Sequence, residues 1–125
     1  MVTLVKRVLI VEDDRAVRYL LRSILVKCGH DVAEASGPTD AIRWLDEDQG
    51  TLDLLITDVV MPGESGPELS LRARATRPDL NVLYISGYGD DLVRRAHVLD
   101  ARAAFIQKPF TAQELTQAVD ALLRN

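Results

Sequence analysis

Glu12, Asp13, Asp14, Asp58, Ser86 and Lys108 are the residues of this chain best equipped for chemistry, and each follows an apolar run. Val8-Leu9-Ile10-Val11 leads into the three acids, and Leu54-Leu55-Ile56-Thr57 into Asp58. Val82-Leu83-Tyr84-Ile85 ends at Ser86, and Ala103-Ala104-Phe105-Ile106 leads through Gln107 to Lys108. Short apolar runs bounded by turn signals read as buried parallel strands. Ligands of an open α/β sheet bind beyond the carboxyl ends of its strands, so these groups are expected in one pocket.

If the first and third strands are neighbours, Glu12, Asp13 and Asp58 crowd together and repel. Lys108 offsets one charge, and a hard divalent cation would offset the rest. An all-oxygen site that keeps several waters suits Mg²⁺. With the charge balanced, the Asp58 carboxylate oxygen is able to attack a phosphorus centre. Mg²⁺ and Lys108 would neutralise the oxygens of the transferring group, and Ser86 would donate a hydrogen bond to one of them. The residue set fits a phosphoryl acceptor with a built-in reader.

The elements that must position these groups alternate along the chain. Val17, Leu20, Leu21, Ile24 and Leu25 recur at helical spacing after the first strand, with Gly29 as the C-cap glycine. A second strand is expected over Asp31 to Ala35, then a helix opened by Gly37-Pro38-Thr39 with Ile42 and Leu45 facing inward. The third strand spans about Leu52 to Thr57, and the glycines and prolines of 61–67 make a loop. A helix from about Pro67 to Thr76 precedes the strand Asn81 to Ile85. A fourth, weaker helix is expected over Asp90 to Leu99, and a fifth strand over Ala103 to Gln107. Thr111 and Glu114 form a capping box for the last helix, with Leu115, Val119, Leu122 and Leu123 on its apolar face. Such alternation predicts a doubly wound parallel sheet with helices on both faces.

Composition bounds the function. The chain has 125 residues, the size of one domain, with 47% hydrophobic and 27% charged residues. Its net charge of -4 and scattered Lys and Arg argue against direct nucleic-acid binding. No apolar stretch approaches the ~20 residues of a membrane span, and Met1 to Arg7 lack a secretory signal, so a cytoplasmic placement is expected. The single cysteine, Cys28, excludes an internal disulfide and reads as a small packing residue. His30 and His97 lack partners at zinc-ligand spacing. Asp14 reads as the first helix's N-cap rather than a metal ligand, and Trp44 as packing.

The chain as a whole resembles the receiver domains of two-component response regulators. Val8-Leu9-Ile10-Val11-Glu12-Asp13-Asp14 is similar to the family's first strand and acidic pair. Thr57-Asp58-Val59-Val60-Met61-Pro62-Gly63 is similar to its phosphoacceptor segment, Ser86-Gly87 to its switch position, and Lys108-Pro109-Phe110 to its lysine and following proline, usually joined by a cis bond. The resemblance implies one receiver domain over 1–125 with a flavodoxin-like (βα)5 three-layer fold around a five-stranded parallel sheet. It implies Asp58 as phosphoacceptor, Asp13 as direct Mg²⁺ ligand, Glu12 as outer-sphere partner, and the Val60 backbone carbonyl as a further ligand. Ser86 and Phe105 become the switch residues, Phe105 lacking the hydroxyl of the tyrosine often found there.

Ile85-Ser86-Gly87-Tyr88, Val98-Leu99-Asp100 and Phe105 to Thr111 are most similar to receivers attached to hybrid sensor kinases. The implied donor is a sensor histidine kinase or a histidine phosphotransfer protein. The implied downstream protein partner binds the face of the fourth helix, fifth strand and last helix, and a phosphorylation-dependent homodimer is a further output to test. Val60 and Tyr88 flank the site where such domains tune dephosphorylation. An apolar Val60 cannot position an attacking water, so a long-lived phosphoryl state is expected. No output segment follows Asn125 in this sequence, so the effect is expected to pass through a partner or through regions outside it.

Three other functions compete. A Mg²⁺-dependent phosphohydrolase of the haloacid dehalogenase type would carry a second Asp two residues after the nucleophile, and Val60 stands there. A degenerate receiver acting only as an interaction module would lack part of the acidic pocket, which is complete here. A dinucleotide enzyme would need G-x-G-x-x-G after the first strand.

Overall fold

The computed structural model describes residues 5–48, 50–87 and 102–124. Five strands, β1 (Arg7–Val11), β2 (Asp31–Ala35), β3 (Leu54–Asp58), β4 (Asn81–Ser86) and β5 (Ala103–Gln107), form one parallel sheet in the order β2-β1-β3-β4-β5. The described helices are α1 (Arg15–Lys27), α2 (Pro38–Glu47), α3 (Gly66–Thr76) and α4 (Ala112–Leu123). This is the flavodoxin-like doubly wound arrangement. The expected helix over 90–99 lies outside the described residues, as do Tyr88 and His97.

The period of two along each strand divides the core between the two sheet faces. Leu9, Val11, Leu55, Val82 and Tyr84 point to one face, where α2 supplies Ala41 and Leu45 and α3 supplies Leu69 and Ala73. Val8, Ile10, Leu54, Ile56, Leu83 and Ile85 point to the other, against Leu21 and Leu25 of α1 and Leu115, Val119 and Leu122 of α4. With both faces covered, β3 and β4 are buried along their whole length. Apolar runs in the sequence therefore appear unbroken, and polar residues gather where the runs end.

Local signals set the helix boundaries. Asp14 accepts hydrogen bonds from the N–H groups of Ala16 at 2.9 Å and Val17 at 3.2 Å, so it is the N-cap of α1. Gly29 closes that helix at φ 92°, a left-handed conformation that glycine adopts without steric cost. Thr111 and Glu114 form the expected capping box of α4. A second box, Ser65 with Glu68, starts α3 one residue before the position read from the sequence.

Three expectations need correction. Cys28 is exposed at the C-cap of α1 rather than packed, because the helix has already turned its apolar face away at that point. Leu20 is 46% exposed, since the inward stripe of α1 centres on Leu21 and Leu25. Leu52 is buried but precedes β3, which begins at Leu54 and runs on to include Asp58. Trp44 packs as expected: it is half-buried against the core, with the Arg7 guanidinium 5.0 Å from its ring centroid.

Replacing Asp14 by Ala should cost about 1 kcal/mol of unfolding free energy in urea titration, and Asp14→Ser should recover most of it. A loss confined to Mg²⁺ affinity, with stability unchanged, would instead make Asp14 a metal ligand.

Candidate functional site

The site forms where four strands end side by side. The β1–β3 register pairs Val11 with Thr57, so Glu12 emerges next to Asp58. In the next two pairs Asp58 lies opposite Ile85 and Ser86 opposite Gln107, which brings Lys108 to the same end. Backbone hydrogen bonds fix the rim: Val59 N–H donates to the Ile85 carbonyl at 3.1 Å, and Lys108 N–H to the Ser86 carbonyl at 2.8 Å. The Lys108–Pro109 peptide is cis.

Glu12 and Asp58 are 1% and 5% exposed, while Asp13 is exposed at the mouth. One carboxylate oxygen from each of the three lies within 4.8 Å of the others. The Lys108 ammonium stands 3.0 Å from both Glu12 Oε2 and Asp58 Oδ1. Those are charge contacts without hydrogen-bond alignment, and the two oxygens have no directed donor. Glu12 Oε1 accepts the Asp14 N–H at 2.9 Å. Asp13, Asp58, Val60, Ile85, Gly87 and Lys108 line a pocket of about 230 Å³.

Electrostatics reflects one ammonium among three acids. Burial, reinforced by the neighbouring Asp58 carboxylate, pushes the Glu12 carboxyl up to about 7, against the opposing pull of the Asp14 N–H and Lys108. Burial works against the charge of Lys108, but its contacts with Glu12 and Asp58 outweigh that and raise its pKa. Three converging carboxylates, two with undirected buried oxygens, fit a hard oxygen-seeking cation such as Mg²⁺.

Ser86 is fully buried, and its hydroxyl makes a long 3.4 Å hydrogen bond to the Ile106 carbonyl. Phe105 is half-buried and packs on Tyr84 at 5.4 Å between ring centroids. The Tyr84 and Ser70 hydroxyls are hydrogen-bonded at 2.6 Å, which ties β4 to α3. Val60 is 72% exposed at the pocket rim. Other acids have different work: Asp53 accepts the Arg7 N–H at 2.8 Å, and Glu64 pairs with Arg72 at 2.9 Å.

A larger hollow of about 480 Å³ lies at the opposite ends of the strands. Arg77 there is spent on the Leu45 and Asp48 carbonyls, Asp53 on the Arg7 backbone and Arg102 on Asp79, so the hollow is not the centre of the chemistry.

Sequence reading missed Gly66. A Cβ there would collide with the Asp58 carbonyl, and the Gly66 N–H donates to the Val59 carbonyl at 2.8 Å. Only glycine lets α3 begin this close to the end of β3.

Residues 8–120 match the response regulator receiver domain family. The chain belongs to that family. The receiver is 37% identical over 116 residues to the sensor kinase CckA of Brucella abortus (strain 2308), which covers 93% of the receiver but only 12% of the kinase. It is 32% identical over 118 residues to the response regulator receiver protein CpdR of the same organism, covering 94% of the receiver and 97% of CpdR. A crystal structure of the receiver domain of the hybrid histidine kinase CckA aligns with a TM-score of 0.78 at 33% identity, covering 94% and 98% of the two chains. Receivers are signalling domains of two-component systems rather than enzymes with an external substrate. Among the described residues, no helix is long and apolar enough to cross a membrane.

The raised Glu12 pKa has a testable sign. Between about 4.5 and 7 the folded receiver holds more protons than the unfolded chain, so in metal-free buffer this group's contribution to stability falls as pH rises through that window. Glu12→Gln should gain about 1–3 kcal/mol over wild type near pH 8 and much less near pH 5, read from thermal melts. Parallel pH profiles for the two proteins would contradict the buried-charge assignment.

Proposed function

We propose that residues 1–125 act as one receiver domain that accepts a phosphoryl group on Asp58 from a histidine kinase or histidine phosphotransfer protein. The observation that carries this reading is the buried Asp58 carboxylate within 3.0 Å of the Lys108 ammonium and beside Glu12 and Asp13. In the transfer an Asp58 carboxylate oxygen forms a bond to phosphorus while the donor's N–P bond breaks, returning the electron pair to the imidazole. Asp13, Asp58 and the Val60 carbonyl would hold Mg²⁺, with Glu12 in its outer sphere. The cation supplies charge neutralisation on the transferring group.

Lys108 supplies the protein's own positive charge at the same place. Once Asp58 carries the phosphoryl group, its oxygens are far better acceptors for the Ser86 hydroxyl than the Ile106 carbonyl at 3.4 Å. Movement of Ser86 frees Phe105 to change its present packing on Tyr84. The face made by β5 and α4 then changes its preference for a downstream protein partner or a second copy. The donor, the partner and a cytoplasmic setting belong to this reading, and the similarity to the CckA receiver supports a histidine kinase or phosphotransfer protein as donor.

Intact mass after incubation with acetyl phosphate tests the proposal. Wild type should gain a single phosphoryl adduct in Mg²⁺ but not in chelator, and Asp58→Asn none. Because the exposed, apolar Val60 cannot orient a water, the adduct should persist well beyond seconds. An adduct on Asp58→Asn, or none on folded wild type with Mg²⁺, would refute the acceptor role.

A further inference from the structure

Glu12 is held from several sides. Its N–H donates to the Ala35 carbonyl at 3.1 Å, and its carboxylate takes the Asp14 N–H and faces Lys108. Its carbonyl accepts a 2.8 Å hydrogen bond from Arg18 Nη1, reaching back from α1. The Arg18 side chain is 19% exposed and is itself anchored, with Nε 3.4 Å from Glu34 Oε1. Glu34 is in turn held by Arg22 at 3.1 Å, and Arg22 also donates to the Val32 carbonyl at 3.3 Å. A chain of contacts thus runs from the edge strand β2 through α1 to the peptide that joins Glu12 and Asp13.

That peptide decides where Asp13 leaves the strand. Among the described residues no donor holds the Asp13 carboxylate, so its place beside Glu12 and Asp58 depends on the backbone. We propose that Arg18 is a positioning residue for the divalent cation: it locks the Glu12–Asp13 peptide so that the exposed Asp13 carboxylate stays within ligating reach of Asp58. The inference rests on the metal reading of the acidic cluster given above. Groups that orient ligands from outside the coordination shell typically cost about 10–100-fold in metal affinity when removed.

The sign of the effect separates positioning from charge. A guanidinium near a cation site repels the cation, so loss of its charge alone would tighten binding. Mn²⁺ binding, followed by the electron paramagnetic resonance signal of the free ion and by competition with Mg²⁺, measures this directly. Arg18→Gln should weaken binding about tenfold while keeping a cooperative melt in metal-free buffer. Arg18→Lys keeps the charge but loses the fork that reaches both the Glu12 carbonyl and Glu34, and should weaken binding as well, with no change of charge to account for it. It carries the test alone if Arg18→Gln does not fold. Unchanged or tighter binding in these variants would overturn the inference while leaving the metal site intact. A folded wild type that binds neither ion would overturn the metal reading and this inference with it.

Discussion

Two buried carboxylates, a third at the mouth and a single lysine among them form the constraint around which this receiver is organised. Glu12 and Asp58 are almost fully withdrawn from water, and each has an oxygen with no directed donor. Burying unbalanced like charges costs free energy that Lys108 can only partly offset, and the displaced pKa of Glu12 records the remainder. A fold selected for stability alone would relieve this strain with a second base or an amide. Its retention leaves the pocket in want of positive charge, and that is the property a phosphoryl acceptor with a cation partner requires.

The parallel sheet makes the arrangement achievable. Strands β1, β3, β4 and β5 run side by side in one direction and end together, so four short excursions deliver all the polar groups to one rim. The neighbouring backbone is stiff: the Asp58 carbonyl is packed against Gly66, the Ser86 carbonyl receives the Lys108 N–H, and the Glu12 carbonyl receives Arg18. Ser86 is the loosest member, with its hydroxyl on a long bond to Ile106. A rigid acceptor beside a weakly held reader is suited to turning a change of charge into a change of shape.

Much of this was legible in the sequence because burial on both faces leaves strand ends as the natural place for polar residues. Glu12, Asp13, Asp58, Ser86 and Lys108 could all be found that way, and Asp14 and Thr111 by capping chemistry. The Ser65 and Glu68 box was equally readable from its spacing. Gly66 and Arg18 were not, because their roles depend on which backbone approaches them in three dimensions. Leu20 and Cys28 were misplaced because helical spacing defines a face but not where that face meets solvent. The Tyr84–Ser70 hydroxyl pair joins residues whose sequence neighbours give no hint of contact.

The central claim is that surplus negative charge in the pocket is a standing cost that a divalent cation relieves. Thermal melts across a Mg²⁺ titration test it directly, comparing wild type with a Glu12→Gln, Asp13→Asn, Asp58→Asn triple variant. Wild type should gain stability with the logarithm of Mg²⁺ concentration once the site begins to fill. The triple variant should melt higher than wild type without the ion and not respond to it. Equal Mg²⁺ responses in the two proteins, or a triple variant less stable than metal-free wild type, would contradict the account.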